Sequence, residues 1–144
     1  MKVLNEMKLG FLSRSVNEGF ARVAVSAFAA QLDPTVEELG ELRTAVSEAV
    51  TNAVVHAYED RLGPVSVRAR ILEGNIVEVC VGDRGRGIED IERARAPMFT
   101  TCSTGERSGM GFTIMESFCD SVRVRSAPGK GTRVTMRKTL SAKE

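Results

Sequence analysis

Between residues 65 and 83 the chain alternates with a period of two. Val65, Val67, Ala69 and Ile71 interleave with Ser66, Arg68 and Arg70, and after Glu73-Gly74-Asn75 the pattern resumes with Val77, Val79 and Val81. Successive strand side chains point to opposite faces, so this stretch predicts a hairpin with one apolar and one polar face. The same parity places Asp83 on the apolar face at the strand's end. A second hairpin is expected from Val122 and Val124, a Pro128-Gly129-Lys130-Gly131 turn, then Val134 and Met136, with Thr132 sharing their parity. A further strand is expected over 7–13. Such a sheet is mostly antiparallel, with one face that helices must cover and another, carrying Arg68, Arg70, Glu78, Arg123, Arg125, Arg133 and Arg137, that meets water.

The helices are legible between the strands. Ser15-Val16-Asn17-Glu18 fits a capping box and starts a helix that runs to about residue 32. Val16, Phe20, Val23, Val25, Phe28 and Leu32 spread around its circumference, which predicts burial on more than one side and hence cover by a second chain. Asp33-Pro34 opens the next helix, expected to reach about residue 58. Its apolar stripe is Leu39, Leu42, Val46, Val50 and Ala53; Glu48 and Asn52, one turn apart, lie on another face with His56 on the flank. Short helices are expected over 89–95 and 112–119, separated by a polar, threonine-rich, mobile loop over 97–108. The fold class expected is α/β: a two-layer sandwich of a mostly antiparallel sheet with helices on one face. At 144 residues the chain has the length of one domain.

Composition excludes several functions. With 20 Lys+Arg against 19 Asp+Glu, net charge alone does not drive binding to a polyanion. The outward sheet residues include no aromatic to stack on bases, so no direct nucleic-acid role is expected. No apolar run approaches the ~20 residues that cross a bilayer, so no membrane role is expected either. Cys80, Cys102 and Cys119 are odd in number and widely spaced, which argues against a disulfide framework or a zinc site and for a cytoplasmic, reduced protein.

Three constellations bear on chemistry. A carboxylate at Asp83 on a valine-rich face is costly unless paired. It either caps the following turn or accepts a hydrogen bond from a ligand amino group, and Gly85 and Gly87 then leave room for a planar ligand near the backbone. Arg107-Ser108-Gly109-Met110-Gly111 precedes a helix, where free N–H groups and an arginine fork make an anion seat; an ordinary loop is the alternative. Glu48, Asn52 and His56 are either the solvated face of an amphipathic helix or a working set in which Asn52 offers an oxygen to magnesium and Glu48 handles a proton. The phosphate loop G-x-x-x-x-G-K-[ST] and the dinucleotide fingerprint G-x-G-x-x-G are both missing from the sequence.

Together these pieces resemble the GHKL superfamily, whose ATP-binding fold is the Bergerat fold. Glu48-x-x-x-Asn52 is similar to its N box, Asp83-x-Gly85-x-Gly87 to its first glycine box, Arg107 to Gly111 to its second, and Gly131-Thr132 to its terminal Gly-Thr. Within the superfamily, the stretches Val46 to Ala53 and Arg107 to Glu116, with Phe20-Ala21-Arg22-Val23, resemble the anti-sigma factor serine kinases of spore-forming bacteria. The resemblance implies a homodimer that holds a sporulation sigma factor (sigma F) inactive and uses ATP with Mg2+, cycling to ADP, to phosphorylate a serine of an anti-anti-sigma factor. It implies that Asp83 receives the adenine amino group with Thr132 in support, that Asn52 ligates magnesium, and that Gly109, Met110 and Gly111 face phosphates. It further implies Glu48 and Arg107 as catalytic, His56, Gly87 and Thr101 as nucleotide-lining, residues 1–32 as part of the dimer contact, and Arg22 as partner-binding. A general-stress anti-sigma kinase, or a nucleotide-binding dimer without phosphotransfer, is the alternative.

Overall fold

The period-two segments assemble into one five-stranded antiparallel sheet. In the computed structural model, which describes residues 1–58, 60–88, 90–95 and 111–141, the strands are β1 (Val3–Leu12), β2 (Pro64–Leu72), β3 (Ile76–Asp83), β4 (Ser121–Ser126) and β5 (Thr132–Thr139), in the order β1-β2-β3-β5-β4. The helices are α1 (Val16–Ala29), followed by a 3-10 turn (Ala30–Leu32), α2 (Val36–His56), α3 (Ile91–Arg95) and α4 (Gly111–Phe118). β1 is longer than its expected 7–13 span. The 97–108 loop lies outside the described residues.

The apolar parity of the hairpins becomes the core. Val65, Val67, Ala69, Ile71, Val77, Val79, Val81, Val134 and Met136 are buried against Ala21, Val25 and Ala29 of α1, the Leu42, Ala45, Val46, Ala49, Val50 and Ala53 stripe of α2, and Phe112 and Met115 of α4. The helices thus cover one sheet face, giving the two-layer α/β sandwich the patterning predicts. Lys138, on the same face, is buried because its ammonium donates to the Phe118 carbonyl at 2.7 Å, where α4 ends, and lies 3.4 Å from a Glu41 carboxylate oxygen. Cys80 and Cys119 are buried free thiols, and burial pushes Cys119 up to about 11, so it is protonated and unreactive near neutral pH.

Three expectations need correction. Ser15 has helical backbone angles and makes no side-chain cap; the Glu18 carboxylate instead accepts a hydrogen bond from the Ser47 hydroxyl and faces Arg22 at 3.8 Å. α2 starts not at Asp33-Pro34 but after Thr35, which forms a complete capping box with Glu38; Asp33, at φ 52, ends the preceding 3-10 turn. Glu78 does not meet water with its arginine neighbours. It is 5% exposed, because the register places it opposite Arg70 and Arg137, and Arg68 and Arg137 close over its carboxylate at 3.6 and 2.8 Å.

The apolar circumference of α1 has a structural counterpart. Its inner face is the narrow Ala21, Val25 and Ala29 stripe. Val16, Phe20 and Val23 are 75%, 53% and 60% exposed; Leu4 and Leu12 of edge strand β1 are exposed too, Leu12 with the parity of the sheet face that the helices leave uncovered. Phe20 meets Phe11 of β1 edge to face, with centroids 6.5 Å apart.

Candidate functional site

Asp83 is the last residue of β3, and its register partner on β5 is Thr132, the first residue of that strand. The sheet therefore presents a carboxylate and a hydroxyl side by side where the covered face runs out. One Asp83 carboxylate oxygen accepts the Gly85 amide at 2.9 Å. Burial pushes the Asp83 carboxyl above the usual carboxylate range, and the Gly85 and Thr132 amides only partly offset that. Both readings of Asp83 from sequence are thus compatible: it organises its turn, and with about four lone-pair positions it retains acceptor capacity for a ligand.

Thr132 is held by Ser126, its register partner on β4. The Ser126 hydroxyl donates to the Gly131 carbonyl at 2.9 Å and accepts the Ile88 amide at 2.8 Å. Its 2.8 Å contact with the Thr132 hydroxyl then has threonine as donor, which leaves the Thr132 oxygen as an acceptor toward the site. Ser126 was not singled out from sequence. The signal was present, because Ser126 ends the Val122, Val124 parity just as Asp83 ends that of Val77, Val79 and Val81.

Gly85 and Gly87 also have a role within the chain itself. A Cβ on Gly85 would sit 2.1 Å from the Ala57 carbonyl oxygen, and one on Gly87, at φ +76, would sit 2.0 Å from that of Ala127. The close approach they permit is between segments of this chain: the 83–88 loop is pressed against the end of α2 and the β4–β5 turn. Arg86 donates its amide to the Ala57 carbonyl at 2.9 Å and accepts the Gly129 amide at 2.7 Å.

α2 supplies the other wall. Glu48 and Asn52 are half-buried rather than solvated, and His56 follows one turn on, also half-buried. The start of α4 lies against the first two. A Cβ on Gly111 would be 3.2 Å from a Glu48 carboxylate oxygen and 3.4 to 3.5 Å from the Asn52 amide atoms. The structure therefore brings Glu48, Asn52 and Gly111 together, and separately pairs Asp83 with Thr132. Thr101, Arg107, Gly109 and Met110 lie outside the described residues.

The donor set bears on a metal. Among the described residues no group of three or more His, Cys, Asp or Glu side chains could hold a metal ion. One amide oxygen beside one carboxylate does fit magnesium, which keeps most of its waters and takes its remaining oxygens from phosphates. Arg22 stands apart from this set. It lines a pocket of about 290 Å³ with Gly40, Arg43, Thr44 and Ser47, and its buried Nε has no hydrogen-bond acceptor among the described residues.

Residues 13–138 match the family model described as a histidine kinase-like ATPase domain. The chain is 53% identical over 142 residues to the anti-sigma F factor of Thermoanaerobacter sp. (strain X514), covering 99% of each. It is 56% identical over 140 residues to that of Caldanaerobacter subterraneus subsp. tengcongensis, covering 97% of each. Among solved structures it is similar to the RsbU and RsbW domains of Rv1364c from Mycobacterium tuberculosis, with a TM-score of 0.71 at 20% identity over 96% of this chain and 32% of that one. That likeness is one of fold.

Proposed function

The chain belongs to the anti-sigma F factor family, within the histidine kinase-like ATPase domains, and from that membership we propose that it restrains a sporulation sigma factor, sigma F, and uses Mg-ATP to phosphorylate a serine of an anti-anti-sigma partner. The observation that carries the reading is the in-register Asp83–Thr132 pair at the end of the covered face, with Glu48 and Asn52 against the start of α4. One pair suits the edge of a purine, and the other suits its phosphate tail.

In this reading the whole chain is one ATP-binding kinase domain. Asp83 accepts the adenine amino hydrogen and the Thr132 oxygen supports that edge. His56, Gly87 and Thr101 line the nucleotide. Gly109, Met110 and Gly111 offer amides to phosphate oxygens, and Arg107 offsets charge on the terminal phosphate during transfer. Asn52 would hold magnesium through its amide oxygen; the ion, when bound, neutralises phosphate charge. Glu48 accepts the proton of the serine hydroxyl as that oxygen bonds to the terminal phosphorus and ADP leaves. Incubation with terminally labelled ATP and an anti-anti-sigma protein is expected to place label on a serine of that protein. Nucleotide binding with no label transferred would leave a restraint module without kinase chemistry.

The exposed Val16, Phe20 and Val23 of α1, next to edge strand β1 through the Phe11–Phe20 contact, form the homodimer contact, within residues 1–32. Arg22, beside that patch, belongs to the surface that meets sigma factor and anti-anti-sigma factor. Full burial of a phenylalanine is worth about 1.5–3 kcal/mol, and a symmetric interface buries Phe20 twice. Phe20→Glu is therefore expected to shift sedimentation at micromolar concentration from dimer to monomer; an unchanged dimer would remove α1 from the interface.

A further inference from the structure

Tyr58 is the one tyrosine of the chain. It lies two residues beyond α2 and is 5% exposed. Its hydroxyl donates to the Pro64 carbonyl at 2.7 Å and accepts the Arg84 amide at 2.8 Å. Arg84 directly follows Asp83. Three consecutive amides are thus each committed: Arg84 to the Tyr58 hydroxyl, Gly85 to the Asp83 carboxylate, and Arg86 to the Ala57 carbonyl. Two of the three acceptors come from the two residues that follow α2, the helix that carries Glu48 and Asn52. The ring is confined as well. The Arg61 guanidinium lies 5.0 Å over its centroid, and a Cβ on Gly63 would come within 2.2 Å of it, so at that position glycine alone leaves space for the ring.

We propose that Tyr58 is a positioning residue that sets nucleobase specificity: its hydroxyl fixes the turn after β3, so that the Asp83 carboxylate meets a 6-amino purine at a constant place relative to α2. The proposal rests on the adenine reading of Asp83. A phenol serves here where a phenylalanine would not. The hydroxyl both donates and accepts, and so ties the start of β2 to the end of β3 through one atom. Without it the Arg84 amide loses its acceptor, and the two residues flanking it are free to rotate the carboxylate.

The test compares ADP with purine riboside 5′-diphosphate, which lacks only the 6-amino group, by calorimetry on the full-length protein. Wild type is expected to prefer ADP by roughly tenfold or more, since a hydrogen bond to a charged acceptor is at stake. Tyr58→Phe keeps the ring in its slot. It is expected to weaken ADP by roughly three- to tenfold and to leave the analogue within about twofold, compressing the preference. A preference unchanged in Tyr58→Phe overturns the proposal, even if stability or both affinities fall, because a packing role does not distinguish the two ligands. If Tyr58→Phe does not fold, Gly63→Ala pushes the ring out of place without deleting a polar group, and the same compression is expected. Asp83→Asn separates the two levels of inference. If it abolishes the preference while Tyr58→Phe does not, Tyr58 alone falls. If wild type shows no preference, the adenine reading and the Tyr58 role fall together.

Discussion

Glu48→Gln is expected to slow transfer of phosphate to the partner serine by about 10²–10⁴-fold, the usual contribution of a positioned general base, with ADP affinity within about twofold of wild type. The substitution keeps length and shape, so the packing of the carboxylate position against Gly111, where a Cβ would lie 3.2 Å away, is preserved. What is lost is the capacity to take a proton from an incoming hydroxyl. A residue that held α4 in place would show its loss in nucleotide affinity first; a base would show it in the rate of chemistry alone. Single-turnover transfer measured at saturating Mg-ATP separates the two. A mutant rate within a few-fold of wild type would exclude Glu48 as the base.

The position of Glu48 was legible in sequence because helix periodicity is strict. Asn52 is four residues on, so the two share a face whatever packs above them. Parity was equally informative in the sheet. Asp83 was identified as a carboxylate on an apolar face, and the register places Thr132 directly opposite it. The same rule points to Ser126, which was missed because a serine on such a face raises less alarm than a carboxylate. Local signals failed where tertiary partners competed for the same atom. Ser15-x-x-Glu18 and Thr35-x-x-Glu38 are the same capping-box pattern, yet only the second forms. Glu18 is engaged by Ser47 and Arg22, from positions the pattern does not contain. The close contacts of Gly85 and Gly87 were also invisible in sequence. A glycine next to a suspected ligand site reads as space for the ligand, and only the fold reveals that Ala57 and Ala127 occupy that space.

Asp83→Asn is expected to weaken ADP by about 1.5–3 kcal/mol, the range for a hydrogen bond to a charged group, or roughly ten- to a hundredfold in affinity. The asparagine carbonyl can still accept the Gly85 amide, so the turn is retained, while its amide nitrogen is a donor and cannot accept from the adenine amino group. Stability should move the other way. Burial raises the Asp83 carboxyl above 3.8, so the folded state holds the proton more tightly than the unfolded chain does. The stabilising contribution of that proton is complete below 3.8 and is lost as pH rises through the raised value. At neutral pH the ionised carboxylate is therefore a net cost to folding, and Asp83→Asn is expected to be at least as stable as wild type while binding ADP less well. The pH profile distinguishes this from general damage to the pocket. Wild-type affinity for ADP should decline as pH falls toward the raised value, because the protonated carboxyl is a weaker acceptor, and the Asp83→Asn profile should be flatter over the same range. Titration calorimetry and thermal melts on the same two proteins measure both. Equal ADP affinity would remove Asp83 from the purine site, and a mutant less stable than wild type at neutral pH would overturn the net cost assigned to the ionised carboxylate.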